Sequence, residues 1–310
     1  MLNALGVVLP IFALIGAGFA ARRLDWLGPQ ASSELNRFVV FLALPALLFD
    51  IMATAQARDI WRPDFLAAFG LAVSLVFVAA FAARRRAGRP LADAALDGLG
   101  AAYGNTGYVG IPLCLIALGP QARAPAVLAT LYTACALFGG AIALIEAGLQ
   151  GERRPLRLAA KVLASLARNP LVVAPAAGLA LNAASLSPPA QVEAAIHLLG
   201  QAASPCALVA LGLFFAGRSK KPTPGASGAA LLIALKLVAA PALALAFSRV
   251  FGLDAFMTRA CVVMAALPTG TGAFMLAEYY RREAELASQV VLVSTGLSIL
   301  TISAYLAFSA

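Results

Sequence analysis

Two long apolar runs of this 310-residue chain are broken near their centres by glycine, proline and small polar residues. The first break reads Tyr103-Gly-Asn-Thr-Gly-Tyr-Val-Gly-Ile-Pro112 and the second Leu267-Pro-Thr-Gly-Thr-Gly-Ala-Phe274. A helix surrounded by lipid must satisfy its backbone N–H and C=O groups internally. Residues that unwind it are tolerated only where protein or a water-filled cavity takes over the freed groups. Thr106-Gly107 and Thr271-Gly272 stand 165 residues apart, a little over half the chain. Interruptions at corresponding places in two halves point to the binding site of a secondary transporter.

Composition places these runs in a membrane: 62% of residues are hydrophobic and 12% charged, against about 25% charged in a soluble domain. Runs of roughly the length that crosses a bilayer, about 20 residues, recur throughout. Spans are expected near 3–21, 33–55, 65–83, 94–118, 124–149, 169–186, 190–217, 227–250, 256–280 and 287–308. The first run lacks a preceding basic segment and reads as a span rather than a cleaved signal. Cys114, Cys135, Cys206 and Cys261 lie singly in apolar segments, with neither metal-site nor disulfide spacing.

The net charge of +9 would suggest nucleic acid in a soluble protein. Here the basic residues sort by loop, so nucleic acid is not an expected partner. Sixteen lie in odd-numbered loops, including Arg84, Arg85, Arg86, Arg281 and Arg282, against Arg58, Arg62, Arg123, Arg249 and Arg259 in or beside even ones. The positive-inside rule puts the odd loops in the cytoplasm and both termini outside. Nineteen Arg against four Lys, with abundant Ala, suits a bacterial protein of the inner membrane.

Ten spans in two halves of five make the second half enter the membrane from the opposite side. Val7-Val-Leu-Pro10 and Val172-Val-Ala-Pro175 open the halves, again 165 apart. The expected fold is all-α and polytopic: two inverted five-helix repeats, residues 1–150 and 169–310, with spans 4 and 9 broken. A basic amphipathic linker, 151–168, would lie on the cytoplasmic surface between them.

In such a repeat the broken spans approach the midplane from opposite sides, and each presents the N-terminus of its second half-helix. That end carries unpaired N–H groups and about half a positive charge, which suits an anion. Asn105 offers a donor and an acceptor, and Thr106, Thr269 and Thr271 add hydroxyls. Gly104, Gly107, Gly110, Gly270 and Gly272 let the backbone unwind and a ligand approach. Pro112 and Pro268 remove helix hydrogen bonds and fix the breaks. Tyr103 and Tyr108 either line the site or pack beside it. The plain alternative is that glycine and proline are simply common in membrane helices; two matched clusters, one with a central Asn, favour a site.

Lys236, about ten residues into span 8, is a candidate to hold an anionic substrate or to pair with a carboxylate. Asp50, Glu146 and Glu278 sit toward span ends, where interfacial solvation explains them. Asp97 stands at the cytoplasmic entry of span 4, Asn36 near the inner end of span 2, and His197, the single histidine, on span 7. No HExxH, nucleophile–base constellation or P-loop occurs, which argues against an intramembrane enzyme and against ATP-driven transport. No cofactor is implied.

Pro10-Ile-Phe-Ala-Leu-Ile-Gly-Ala-Gly18, Leu44-Pro-Ala-Leu-Leu-Phe49, Gly104-Asn-Thr-Gly-Tyr-Val-Gly-Ile-Pro-Leu113 and Ala266-Leu-Pro-Thr-Gly-Thr-Gly272 resemble an auxin efflux carrier family permease of the bacterial malonate and malate permease type. The likeness covers essentially the full length, extends to the plant PIN carriers, and lacks their long central loop. It implies a fold related to the bile acid–sodium symporters, with spans 1, 2, 6 and 7 as scaffold and dimer interface. Spans 3–5 and 8–10 would form a mobile body moving in an elevator-like way, with Asn105, Gly107, Pro112, Pro268 and Gly270 at the crossing point.

The expected function is a secondary active or facilitative transporter of small organic anions: mono- or dicarboxylates such as malonate, malate or auxin-like acids. A sodium-coupled symporter of a larger organic anion and a non-transporting membrane sensor stand as alternatives. Protons and sodium are both open as coupling ions.

Overall fold

The computed structural model describes residues 2–54, 62–150, 155–217 and 226–308. Among them every regular element is helical. The helices are α1 (Leu2–Arg23), α2 (Ala31–Ala53), α3 (Pro63–Arg86), α4 (Leu91–Ala102), α5 (Ile111–Leu118), α6 (Pro120–Leu149), α7 (Pro155–Leu166), α8 (Pro170–Ala183), α9 (Ala190–Gly217), α10 (Gly228–Val250), α11 (Ala255–Ala266), α12 (Thr271–Tyr279) and α13 (Ala284–Phe308). Six of these, α2, α3, α6, α9, α10 and α13, are each long and apolar enough to cross a membrane, and the chain is a multi-pass membrane protein. A 72° bend separates the end of α7 from α8. The runs expected as spans 4 and 9 each fold as two short helices, α4 with α5 and α11 with α12. Arg58, Arg153, Arg154, Arg218, Lys220 and Lys221, counted in the loops above, lie outside the described residues.

Packing joins the first two helices to segments beyond the middle of the sequence. α1 lies along the second part of α9, and α2 along α8. The α1–α9 contact is backbone-close because glycine faces it from both sides. A side chain at Gly18 would fall 2.2 Å from the Val209 carbonyl oxygen, and one at Gly212 would fall 2.0 Å from that of Ile15. Small residues at helix contacts allow this approach where lipid provides no hydrophobic drive between helices. A second group forms around α3, which packs on α4 and α10, while α4 packs on α6 and α10 on α11.

Buried and half-buried ion pairs tie the second group together on the odd-loop side. Arg84 of α3 donates to Asp97 of α4 at 2.6 Å, Arg282 to Asp93 of α4, and Arg89 pairs with Glu283. Asp97 is 2% exposed and Asp93 6%. Unpaired charge at that depth would be costly, so Arg84 and Arg282 fasten α4. The Asp93 carboxylate holds the Arg282 guanidinium above its ordinary range by hydrogen bond and charge.

Candidate functional site

The two breaks touch. α4 ends at Ala102, and Tyr103–Asn105 runs in extended backbone before a π turn, Thr106–Gly110, leads into α5. α11 ends at Ala266, and extended residues up to Gly270 lead into α12. The two extended stretches lie antiparallel, with Gly104 opposite Thr269. The Asn105 N–H donates to the Pro268 carbonyl at 2.9 Å, and the Gly270 N–H to the Tyr103 carbonyl at 2.9 Å. Backbone groups freed by unwinding one helix are thus satisfied by the other, as a buried environment demands.

The ends of the half-helices are also accounted for. The last turn of a helix leaves carbonyls without intrahelical donors. At α4 the Thr269 hydroxyl donates to the Gly100 carbonyl at 2.8 Å, and at α11 the Lys236 ammonium donates to the Ala265 carbonyl at 2.7 Å. The Thr269 N–H is taken by the Ser294 hydroxyl at 3.0 Å. The opposite ends, the N-termini of the second half-helices, face a cavity.

That cavity has a volume of about 560 Å³. Gly104, Asn105, Thr106 and Gly107 of the first break border it, as do Gly270, Thr271 and Gly272 of the second. Asn105 makes no side-chain hydrogen bond to protein among the described residues. Thr106 and Thr271 are likewise nearly enclosed, at 4% and 6% exposed. Leu44, Leu47, Leu48 and Ile51 of α2, with Ala203 and Ala207 of α9, form an apolar wall opposite. Tyr103 also lines the space, and its ring supports the second break from beneath. A side chain at Gly270 would meet that ring at 2.7 Å, and one at Gly272 at 2.9 Å.

The sequence-predicted residues therefore divide. Asn105, Thr106, Gly107, Gly270 and Thr271 come together on the cavity with Gly104 and Gly272. Thr269 is 0% exposed, turned into protein. Gly110 packs outside the cavity, where a side chain would meet Leu267 at 2.6 Å and Met264 at 2.9 Å. Pro268 supplies the carbonyl that Asn105 binds. Tyr108 belongs to the π turn and Pro112 to the first turn of α5, and their side chains fall outside the described set. Lys236 does not line the cavity. It is 0% exposed and lies behind the bridge, its Nζ 3.6 Å from where a Gly104 Cβ would stand.

The sequence reading missed the cavity's charge. Arg123, the first residue after the short 3₁₀ turn that opens α6, is the sole charged residue among those lining the space, beside Gln121. It has no ion-pair partner among the described residues. In the sequence it counts only as a loop charge; the available signal is a lone cation in the short connection directly after a broken span. Thr54, Gln121 and Arg123 are exposed, so the cavity reaches the surface on the even-loop side. The other side is closed. Asn36 of α2, 2% exposed, donates to the Met275 carbonyl of α12 at 3.5 Å, and Phe214 stacks edge-on against Phe274 at 5.2 Å. His197 does not line the cavity; it is exposed and hydrogen-bonded to Asp50 at 2.8 Å.

Comparison with known proteins gives the family. The family model described as membrane transport protein matches residues 4–151 and 141–306. The chain belongs to this family. It is 34% identical over 99% of its length, and 96% of the relative's, to a protein of Rhizobium meliloti (strain 1021) named "Putative malonate transporter". It is 24% identical to "Probable auxin efflux carrier component 5c" of Oryza sativa subsp. japonica, over 98% of this chain and 96% of that one. "Auxin efflux carrier component 8" of Arabidopsis thaliana matches at 31% over 38% of this chain and 32% of the plant protein. This membrane transport protein is thus a permease related to the auxin efflux carriers, and its named relatives are transporters rather than enzymes.

Proposed function

We propose that the protein moves small carboxylates across a bacterial inner membrane as a secondary transporter. The observation that carries this is the opening of two half-helix N-termini, at Thr106–Gly107 and Thr271–Gly272, onto one cavity whose lining charge is Arg123 alone. Each terminus offers unpaired N–H groups and about half a positive charge, and Asn105 adds a donor. Together they suit a carboxylate at the bridge, while Arg123 draws anions in and engages the end nearer the mouth. The relative's malonate falls within this chemistry.

The same reading takes the fold as ten crossings in two inverted five-helix repeats, 1–150 and 169–310, with both termini outside and two copies joined through the scaffold. It is supported by the reciprocal pairing of α1 with α9 and α2 with α8, and by the meeting of the two breaks. The scaffold contributes the apolar wall, and the α3–α6 and α10–α13 group contributes the polar one. An elevator-type slide of the polar wall along the apolar one would carry the anion from the even-loop side to the odd-loop side. No polar group would be stripped from the smooth scaffold surface during that slide.

The test is uptake of labelled malonate, malate, succinate and indole-3-acetate into proteoliposomes, with wild type and Asn105→Ala side by side. Uptake of at least one acid, lost in the variant while the protein stays folded, is the expected result. Binding without flux would instead indicate a sensor, and no response to any acid would remove the carboxylate reading.

A further inference from the structure

Lys236 is not among the residues lining the cavity, although it stands beside Gly104, which is. Its ammonium is entirely buried, and no carboxylate pairs with it among the described residues. Its donor bond goes to Ala265, in the last turn of α11. The nearby Gly104 lies two residues beyond the end of α4. Nζ therefore stands where the C-termini of two half-helices converge. Each such end carries about half a negative charge in unsatisfied carbonyls. In carriers with broken helices, unwound carbonyls and half-helix C-termini are what coordinate a coupling cation.

We propose that Lys236 is a tethered cation: its ammonium fills the position between the two half-helix C-termini that an external coupling ion would otherwise take, so that anion movement needs no sodium. This inference rests on the anion-transport reading above. The positive charge stands beside Gly104, which lines the cavity while Lys236 does not. It therefore strengthens the anion site through a single layer of backbone while remaining out of the substrate's reach. Acceptors other than backbone carbonyls are not needed, which agrees with the lack of any group of three or more His, Cys, Asp or Glu suited to a metal among the described residues.

The experiment compares wild type, Lys236→Met and Lys236→Ala in sodium and in choline at equal ionic strength. It reads malonate uptake in proteoliposomes and, separately, thermal unfolding in detergent. Wild-type uptake is expected to change by less than about two-fold between the salts, with no saturable stabilisation by sodium. Lys236→Met should lose at least about ten-fold in uptake in either salt, since its chain fills the space without charge. In Lys236→Ala, sodium or methylammonium should stabilise the fold saturably and restore part of the uptake. Saturable activation or stabilisation of wild type by sodium overturns the proposal, and so does a Lys236→Met protein that transports like wild type. The wild-type arm decides alone if both variants fail to fold. Wild type that takes up no malonate while Lys236→Ala is stabilised by methylammonium would sink the carboxylate reading and leave the tethered cation standing.

Discussion

At the first break Asn105, Thr106 and Gly107 border the cavity, and the Asn105 side chain is left without a protein partner; at the second, Thr269 is fully buried with both its N–H and its hydroxyl bound to protein. The backbones pair reciprocally, each donating one N–H to the other across the bridge. Their surroundings differ. Gly270 and Gly272 are pressed on the Tyr103 ring, whereas Gly104 and Gly107 have their nearest neighbours at 3.5 Å or beyond. Both breaks border the cavity, but the second is the more tightly packed and the first leaves a polar side chain open to it. A matched pair of motifs in sequence need not be a matched pair in packing.

Substitutions sharpen this contrast, and the largest effect should come from the packed break. Gly270→Val places new atoms against the Tyr103 ring and 3.2 Å from the Gly104 carbonyl oxygen. A cost of about 1–3 kcal/mol or more is expected from overpacking, seen as a lowered unfolding midpoint and loss of monodisperse protein on size exclusion. Asn105→Ala should do the opposite, leaving the midpoint nearly unchanged but weakening anion binding. A hydrogen bond to a charged group is worth about 1.5–3 kcal/mol, so apparent affinity in a ligand-induced thermal shift should fall roughly ten- to a hundred-fold. If Asn105→Ala unfolds the protein instead, the first break is structural too and the comparison fails.

Thr269→Val keeps shape while leaving the Gly100 carbonyl without its donor. About 1–3 kcal/mol of stability should be lost, with the substrate concentration giving half-maximal uptake unchanged in the protein that remains folded. Arg123→Gln should have the smallest effect because its guanidinium is exposed and screened. About a five- to ten-fold rise in half-saturating anion, together with a weaker dependence of uptake rate on ionic strength, is the expected pattern. An unchanged salt dependence would remove Arg123 from the substrate's route.

Much of this was legible in the sequence because lipid is an unforgiving solvent: apolar length and loop charge mark membrane segments, and Gly-Pro-Asn clusters mark where helices cannot continue. Asn105, Thr106, Gly107, Gly270 and Thr271 were named from that argument and stand on one cavity. What stayed hidden was direction. Sequence gives the depth of Lys236 in its helix but not which side of the bridge it faces. The two threonines of the second motif were indistinguishable until the backbone turned Thr269 inward and Thr271 toward the cavity. Arg123 was hidden for a different reason: a basic residue in a loop already had a sufficient explanation in membrane orientation.

The glycine contact of α1 with α9 carries a consequence for the order in which the molecule is made. Ile15 and Gly18 face Val209 and Gly212, so α1, once it has left the ribosome, finds its partner only after residues beyond 203 have followed. α2 waits likewise for α8, whose Gly178 would clash with the Phe49 carbonyl oxygen at 2.5 Å if it bore a side chain. Until then these helices rest in lipid with their small-residue faces uncovered, open to wrong neighbours or to chaperone contact. Neither half of the chain is a finished object by itself; the protein becomes a carrier only when its second half closes around the first.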